Sequence, residues 1–96
     1  MGNRRAVIDL HRGEITEAVR RHRGRTVAVF GSVVRGEDNE RSDIDFLVEF
    51  LPGSSLFDLL HIEDELAELL GCPVDVLSAG GLKPRDEHIR REAMPL

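Results

Sequence analysis

Apolar residues divide the chain into a short alternation of helices and strands. From about Arg5 to His22, Val7, Leu10, Ile15, Ala18 and Val19 recur at helical spacing among arginines and glutamates, and Gly24 is expected to end this amphipathic helix. Thr26-Val27-Ala28-Val29-Phe30 is short, apolar and β-branched, and Gly31-Ser32 stops it, as expected of a buried strand running into a tight turn. From Val33 to Ser42 the residues suit one helical turn and a loop. Ile44, Phe46, Val48 and Phe50 then alternate with Asp43, Asp45, Leu47 and Glu49, which predicts a strand with one apolar face and two carboxylates at the start of the other. Ser55 and Asp58 form a capping box for a helix reaching Leu70, whose stripe of Leu56, Leu59, Ile62, Leu66, Leu69 and Leu70 faces the core. Gly71 and Pro73 close that helix. Val74-Asp75-Val76-Leu77 reads as a third strand, and Asp86 to Ala93 as a final short helix.

The expected fold class is therefore α/β (α+β): a mixed sheet of three or more strands with helices packed on one face, in a single domain spanning 1–96. At 96 residues there is no room for a separate substrate domain. The net charge of −5 argues against a general electrostatic grip on nucleic acid, because counterion release needs a basic surface. No apolar run is long enough to cross a membrane, and none follows Met1-Gly2-Asn3, so a soluble cytoplasmic protein is expected. A lone cysteine, Cys72, excludes an internal disulfide and a multi-thiolate metal site.

Chemistry is concentrated in three acids. Asp43 and Asp45 stand two apart on one strand and so emerge on the same face, about 6.5–7 Å apart along it. Asp75 joins that face if its strand is a neighbour, since Val74 and Val76 must take the core side. Two unit charges 4 Å apart repel by about 4 kcal/mol at an effective dielectric near 20, so such a cluster calls for a counter-ion. All-oxygen donors without His or Cys suit Mg²⁺, with Mn²⁺ as the alternative, and a pair of ions is what bridging aspartates hold in phosphoryl-transfer sites. An isolated Asp-x-Asp is more often ordinary strand surface. Here it follows Gly31-Ser32 by ten residues, and that turn comes directly after a buried strand, where free amides and a hydroxyl can hold phosphate oxygens.

Gly31-Ser32-Val33-Val34-Arg35-Gly36-Glu37 followed by Ser42-Asp43-Ile44-Asp45-Phe46-Leu47-Val48 resembles the minimal nucleotidyltransferases, the MNT family of the DNA polymerase β-like superfamily. The likeness extends from the first helix to Ile89-Arg90-Arg91-Glu92-Ala93. It implies transfer of a nucleoside monophosphate, usually AMP from ATP, to an acceptor hydroxyl with release of pyrophosphate. Asp43, Asp45 and Asp75 would be the catalytic and metal-binding set for two Mg²⁺ ions, while Gly31, Ser32, Arg35 and Ser42 would bind the nucleotide. Arg35 has an equal alternative, pairing with Glu37 or Asp38. The resemblance further implies a HEPN-type toxin as partner, with AMP placed on its tyrosine hydroxyl, so that the chain acts as an antitoxin.

Two other functions compete with this one: an antitoxin that works by binding alone, and nucleotidyl transfer to a small molecule such as an antibiotic. No P-loop or G-x-G-x-x-G fingerprint is present, which disfavours kinase-like and Rossmann chemistry. His11, His22, His61 and His88 lack metal-ligand spacing, and Cys72 reads as a small hydrophobe. The first helix's arginines read as a solvated face, and Glu49, further along the acid-bearing strand, as exposed.

Overall fold

The computed structural model describes residues 4–96; Met1–Asn3, behind which no apolar run is expected, lie outside the described residues. Its elements are α1 (Arg4–Leu10), α2 (Arg12–Arg21), β1 (Gly24–Phe30), α3 (Ser32–Arg35), β2 (Ile44–Phe50), α4 (Leu56–Leu70), β3 (Val74–Ser78), α5 (Glu87–Glu92) and β4 (Met94–Pro95), with 3-10 turns at Ala79–Gly81 and Pro84–Asp86. The four strands form one mixed sheet in the order β3-β2-β1-β4. β2 runs antiparallel to β1 and parallel to β3, and β4 lies antiparallel to β1. No helix among the described residues is long and apolar enough to cross a membrane.

Strand alternation decides where the core sits. Val27 and Val29 of β1, Ile44, Phe46 and Val48 of β2 and Val74 and Val76 of β3 point to one face. There they meet Ile8 of α1, Ile15, Ala18 and Val19 of α2, and Ile62, Leu66 and Leu70 of α4 in one continuous core. Phe46, Ile44 and Ile62 are completely buried in it. Full burial of such a side chain contributes about 1.5–3 kcal/mol, so these positions dominate the stability of a domain this small. The opposite face carries a smaller cluster of Phe30, Leu47 and Ala79, against which Ile89 and Ala93 pack. Helices on one face thus describes α1, α2 and α4, whereas the short α5 covers part of the other.

Three local features depart from the sequence pattern. The first helix is broken at His11, whose N–H bonds to the Ile8 carbonyl at 3.0 Å, and the break leaves Leu10 exposed. Tertiary contacts hold α1 in place: the Arg4 N–H donates to the buried Asp38 carboxylate at 3.2 Å, and its guanidinium donates to the carbonyls of Glu40 and Ser42. Second, the left-handed turn after α2 falls on Arg23 (φ 62°), not on Gly24. Gly24 instead begins β1, where a Cβ would collide with Val19; Arg23 is tied to the next turn through its carbonyl, which accepts from Leu51, and its guanidinium, which donates to the Gly53 carbonyl at 2.7 Å. Third, β4 was not visible in the pattern, being two residues long with a proline in it.

Both ends of α4 follow the sequence. The Ser55 N–H donates to the Asp58 carboxylate at 2.9 Å, and left-handed Gly71 closes the helix with its N–H on the Ala67 carbonyl. Along the outer side of β3, the edge strand, Glu63 of α4 accepts the Val76 N–H at 2.8 Å.

Candidate active site

The acids are brought together by register. In the antiparallel ladder Phe30 of β1 stands opposite Asp45 of β2, and in the parallel ladder Asp45 stands opposite Asp75 of β3. All three therefore share the face turned away from the main core. Asp43, the residue just before β2, is two positions from Asp45 and is exposed, as is Asp75. Asp45 is half-buried, and its carboxyl is pushed above the ordinary aspartate range, first by that burial and then by the negative charges of Asp75 and Asp43. Arg35 pulls it back down and Glu92 pushes it up further.

This strain is what the fit of a divalent cation can be tested on. Three carboxylates supply the hard oxygen donors that Mg²⁺ prefers, and one of them is held in a state that a positive charge would relieve. Among the described residues no group of three or more His, Cys, Asp or Glu side chains is gathered closely enough to hold a metal ion as it stands. The residues suit such an ion in kind and in position on the sheet.

The turn after β1 completes the constellation. Gly31 has φ 82° and ψ −152°, a conformation that L side chains rarely adopt, and a Cβ there would strike the Asp45 carboxylate. Glycine is required here both for the backbone geometry and for the close approach to Asp45. Ser32 opens α3 and is half-buried, and its carbonyl accepts the Glu37 N–H at 2.9 Å. Arg35 lies one turn on. Its guanidinium donates to Glu37 at 2.7 Å and also to Glu92 of α5. Of the two roles open to Arg35, ion pairing is thus seen, with Glu37 as expected and with Glu92 in place of Asp38. Asp38 faces α1 instead.

Ser42 sits apart from this group. Its hydroxyl accepts the Asn39 N–H at 2.8 Å and its carbonyl accepts from Arg4, so it braces the loop leading into Asp43. Glu49 is exposed at the far end of β2. An open groove of about 510 Å³ lies further along β1 and β2, lined by Ala28, Leu47, Glu49, Ser78 and Arg90 among others but by none of the three aspartates. Arg90 is fixed there by its bond to the Ala79 carbonyl at 2.7 Å. A larger concavity along the solvent side of α2 contains none of the acids.

Sequence reasoning missed Glu92. This residue ends α5, and one of its oxygens accepts the Gly31 N–H at 2.8 Å and the Arg35 guanidinium together. Nothing near it in the sequence marks it out; it reaches Gly31 only because β4 pairs with β1.

Taken together, Asp45 and Asp75 stand opposite one another, with Asp43 two positions away, beside the Gly31 amide and the Arg35 guanidinium, which both meet the Glu92 carboxylate. That combination serves transfer of a phosphoryl-linked group, in which the protein supplies position and charge compensation.

Comparison with known proteins agrees. The family model described as nucleotidyltransferase domain matches residues 12–96. The chain is 40% identical over 78 residues to the protein adenylyltransferase MntA of Thermococcus cleftensis, covering 81% of this chain and 76% of that one. It superposes with a TM-score of 0.85 and 42% identity on a solved structure described provisionally as a minimal nucleotidyltransferase, covering 95% and 94% of the two chains. The same fold, at a TM-score of 0.68 and 17% identity over 91% of this chain and 69% of the other, occurs in a complex of the tri-AMPylated Shewanella oneidensis HEPN toxin with an MNT antitoxin. By its matched sequence and its fold, the chain belongs to the nucleotidyltransferase-domain family and is a nucleotidyltransferase.

Proposed function

We propose that this chain transfers AMP from ATP, with Mg²⁺, to a tyrosine hydroxyl of a HEPN-type toxin, and so acts as that toxin's antitoxin. The observation that carries the reading is the cross-strand register of Asp45 and Asp75 beside the Gly31-Ser32 turn. Asp43, Asp45 and Asp75 would hold the ions, which when bound neutralise the charge that builds up on the phosphates. Gly31 and Arg35 supply donors for the terminal phosphates, and Ser32, by the family resemblance, adds its hydroxyl. Ser42 enters indirectly, by fixing the loop that presents Asp43.

In the reaction the acceptor oxygen gives up its proton to solvent and bonds to the α-phosphorus as the bond to the pyrophosphate oxygen breaks, and pyrophosphate leaves. The chain's part is to align these atoms and exclude other geometries. A macromolecular acceptor suits the exposure of Asp43 and Asp75, which lie open on the sheet face. Kinship to a protein adenylyltransferase, and a shared fold with an antitoxin bound to an AMP-modified toxin, support the same acceptor class.

The test is to incubate the chain with a HEPN-type partner, Mg²⁺ and ATP labelled on the α-phosphate, alongside Asp43→Asn and Asp45→Asn. Label on the partner's tyrosine that disappears with either substitution supports the reading. Neutralisation of the partner without label, and unaffected by both substitutions, would leave a binding antitoxin instead.

A further inference from the structure

In the free protein two of the site's anion-binding donors are already engaged. A single oxygen of Glu92 accepts both the Gly31 N–H at 2.8 Å and the Arg35 guanidinium. The Glu92 side chain is only 18% exposed and its bond to Gly31 is partly buried, while Arg35 on the other side stays half exposed. Those same two donors are the ones that the proposed function assigns to the nucleotide's phosphates. A carboxylate oxygen and a phosphate oxygen cannot both take the single Gly31 N–H or the same guanidinium N–H, and a triphosphate entering beside Asp45 would meet the negative charge of Glu92 at close range.

Glu92 is also mechanically connected. It is the last residue of α5 and lies two positions before β4, where Met94 stands opposite Val29 and Pro95 opposite Ala28. The Leu96 N–H extends this pairing to the Val27 carbonyl at 3.0 Å. The ladder is short, and proline contributes no N–H to it. Glu92 adds a side-chain tie to this short ladder, beside the packing of Met94 and Leu96 on the core.

We propose that Glu92 is an autoinhibitory anion: it occupies the nucleotide's phosphate donors in the free enzyme, and nucleoside triphosphate binding expels it and loosens β4 from β1. The proposal rests on the nucleotidyl-transfer reading and adds regulation to the same site. Nucleotide affinity is then lowered by the need to displace Glu92, and the state of residues 93–96 reports whether nucleotide is bound. A tie that served stability alone would give neither effect.

Two measurements test it. Titration calorimetry with ATP and Mg²⁺ should show Glu92→Gln binding about five- to tenfold more tightly than the unaltered chain, as expected if roughly one charge-assisted contact no longer competes. Inorganic tripolyphosphate with Mg²⁺ should show the same ordering, because the competition concerns phosphates and not the base. In hydrogen exchange on the unaltered chain, saturating ATP and Mg²⁺ should speed exchange of the Leu96 amide while slowing that of Gly31. Equal or weaker binding by Glu92→Gln, or slower Leu96 exchange with ATP, would overturn the latch. The exchange measurement needs no variant, so it decides the matter even if Glu92→Gln folds poorly. If ATP binds both forms alike, only the latch fails; if it binds neither, the nucleotidyl-transfer reading fails and the latch with it.

Discussion

The backbone of Gly31 passes so close to the Asp45 carboxylate that the smallest side chain at residue 31 would collide with it. Turn and acid are therefore one unit, with the strand pairing of Phe30 and Asp45 setting the distance between them. Gly31→Ala has to bear a strained positive φ and push Asp45 aside. It should lower stability by about 1–3 kcal/mol in urea melts and remove transfer activity. An active, fully stable Gly31→Ala protein would show that the two residues are not coupled.

Asp45 is held at an energetic disadvantage by its neighbours, so making it neutral should help the metal-free fold. Asp45→Asn removes a like-charge cross-strand pair with Asp75, an effect of about 0.5–1 kcal/mol, or about 2–8 °C in melting temperature for a domain this size. The same variant should lose the stabilisation that ATP and Mg²⁺ give the unaltered chain. Thermal melts with and without ligand check both halves. A clear loss of stability without metal would mean that Asp45 has a structural partner.

Acid should act on two carboxyls in opposite senses. Glu65 accepts from His22 at 2.7 Å and from Arg21 at 2.6 Å, tying α4 to α2, and the His22 hydrogen bond in particular holds it below the ordinary glutamate value of 4.5. A folded value below the unfolded one gives stability that is present above pH 4.5 and is lost as pH falls through the lower, folded value. Asp45 is raised above 3.8, so its penalty is complete at neutral pH and is relieved as pH falls through the raised value. Urea melts at neutral pH and at about pH 4 should therefore show a shallower acid loss for Glu65→Gln and a steeper one for Asp45→Asn. Glu65 is more than a third exposed, so its share is small, about 0.5 kcal/mol.

Asp38 caps α1 from a distance. Replacing it with Ala leaves the Arg4 N–H without its partner and removes a buried carboxylate that links the 36–43 loop to the helix. A loss of about 1–2 kcal/mol is expected, with faster amide exchange across Arg4–Leu10. Unchanged exchange there would mean that the Arg4 side-chain bonds to Glu40 and Ser42 hold α1 unaided.

What could be read from the sequence was the part set by short-range periodicity. Alternation through Ile44, Phe46 and Val48 places Asp45 on the outer face, and Val74 and Val76 do the same for Asp75; that they stand opposite each other then depends on one strand pairing. Long-range contacts were not legible. Glu92 meets Gly31 across sixty-one positions, and Arg23 takes the left-handed turn because its carbonyl and guanidinium are held by the turn at residues 51–53. The first helix breaks at His11, and the start of α1 is held by a loop more than thirty residues away. In each case a tertiary partner acts that local preference does not register.

The bond from Val76 to Glu63 bears on how these molecules behave when crowded. An edge strand with a free row of amides invites a strand from a neighbour to dock, the first step toward fibrous aggregates. By engaging an amide in the middle of β3, Glu63 interrupts that row and puts a negative charge where the incoming backbone would have to lie. Glu63→Ala should therefore make concentrated solutions polymerise more readily, on top of a loss of about 1 kcal/mol in monomer stability from the unpaired Val76 N–H.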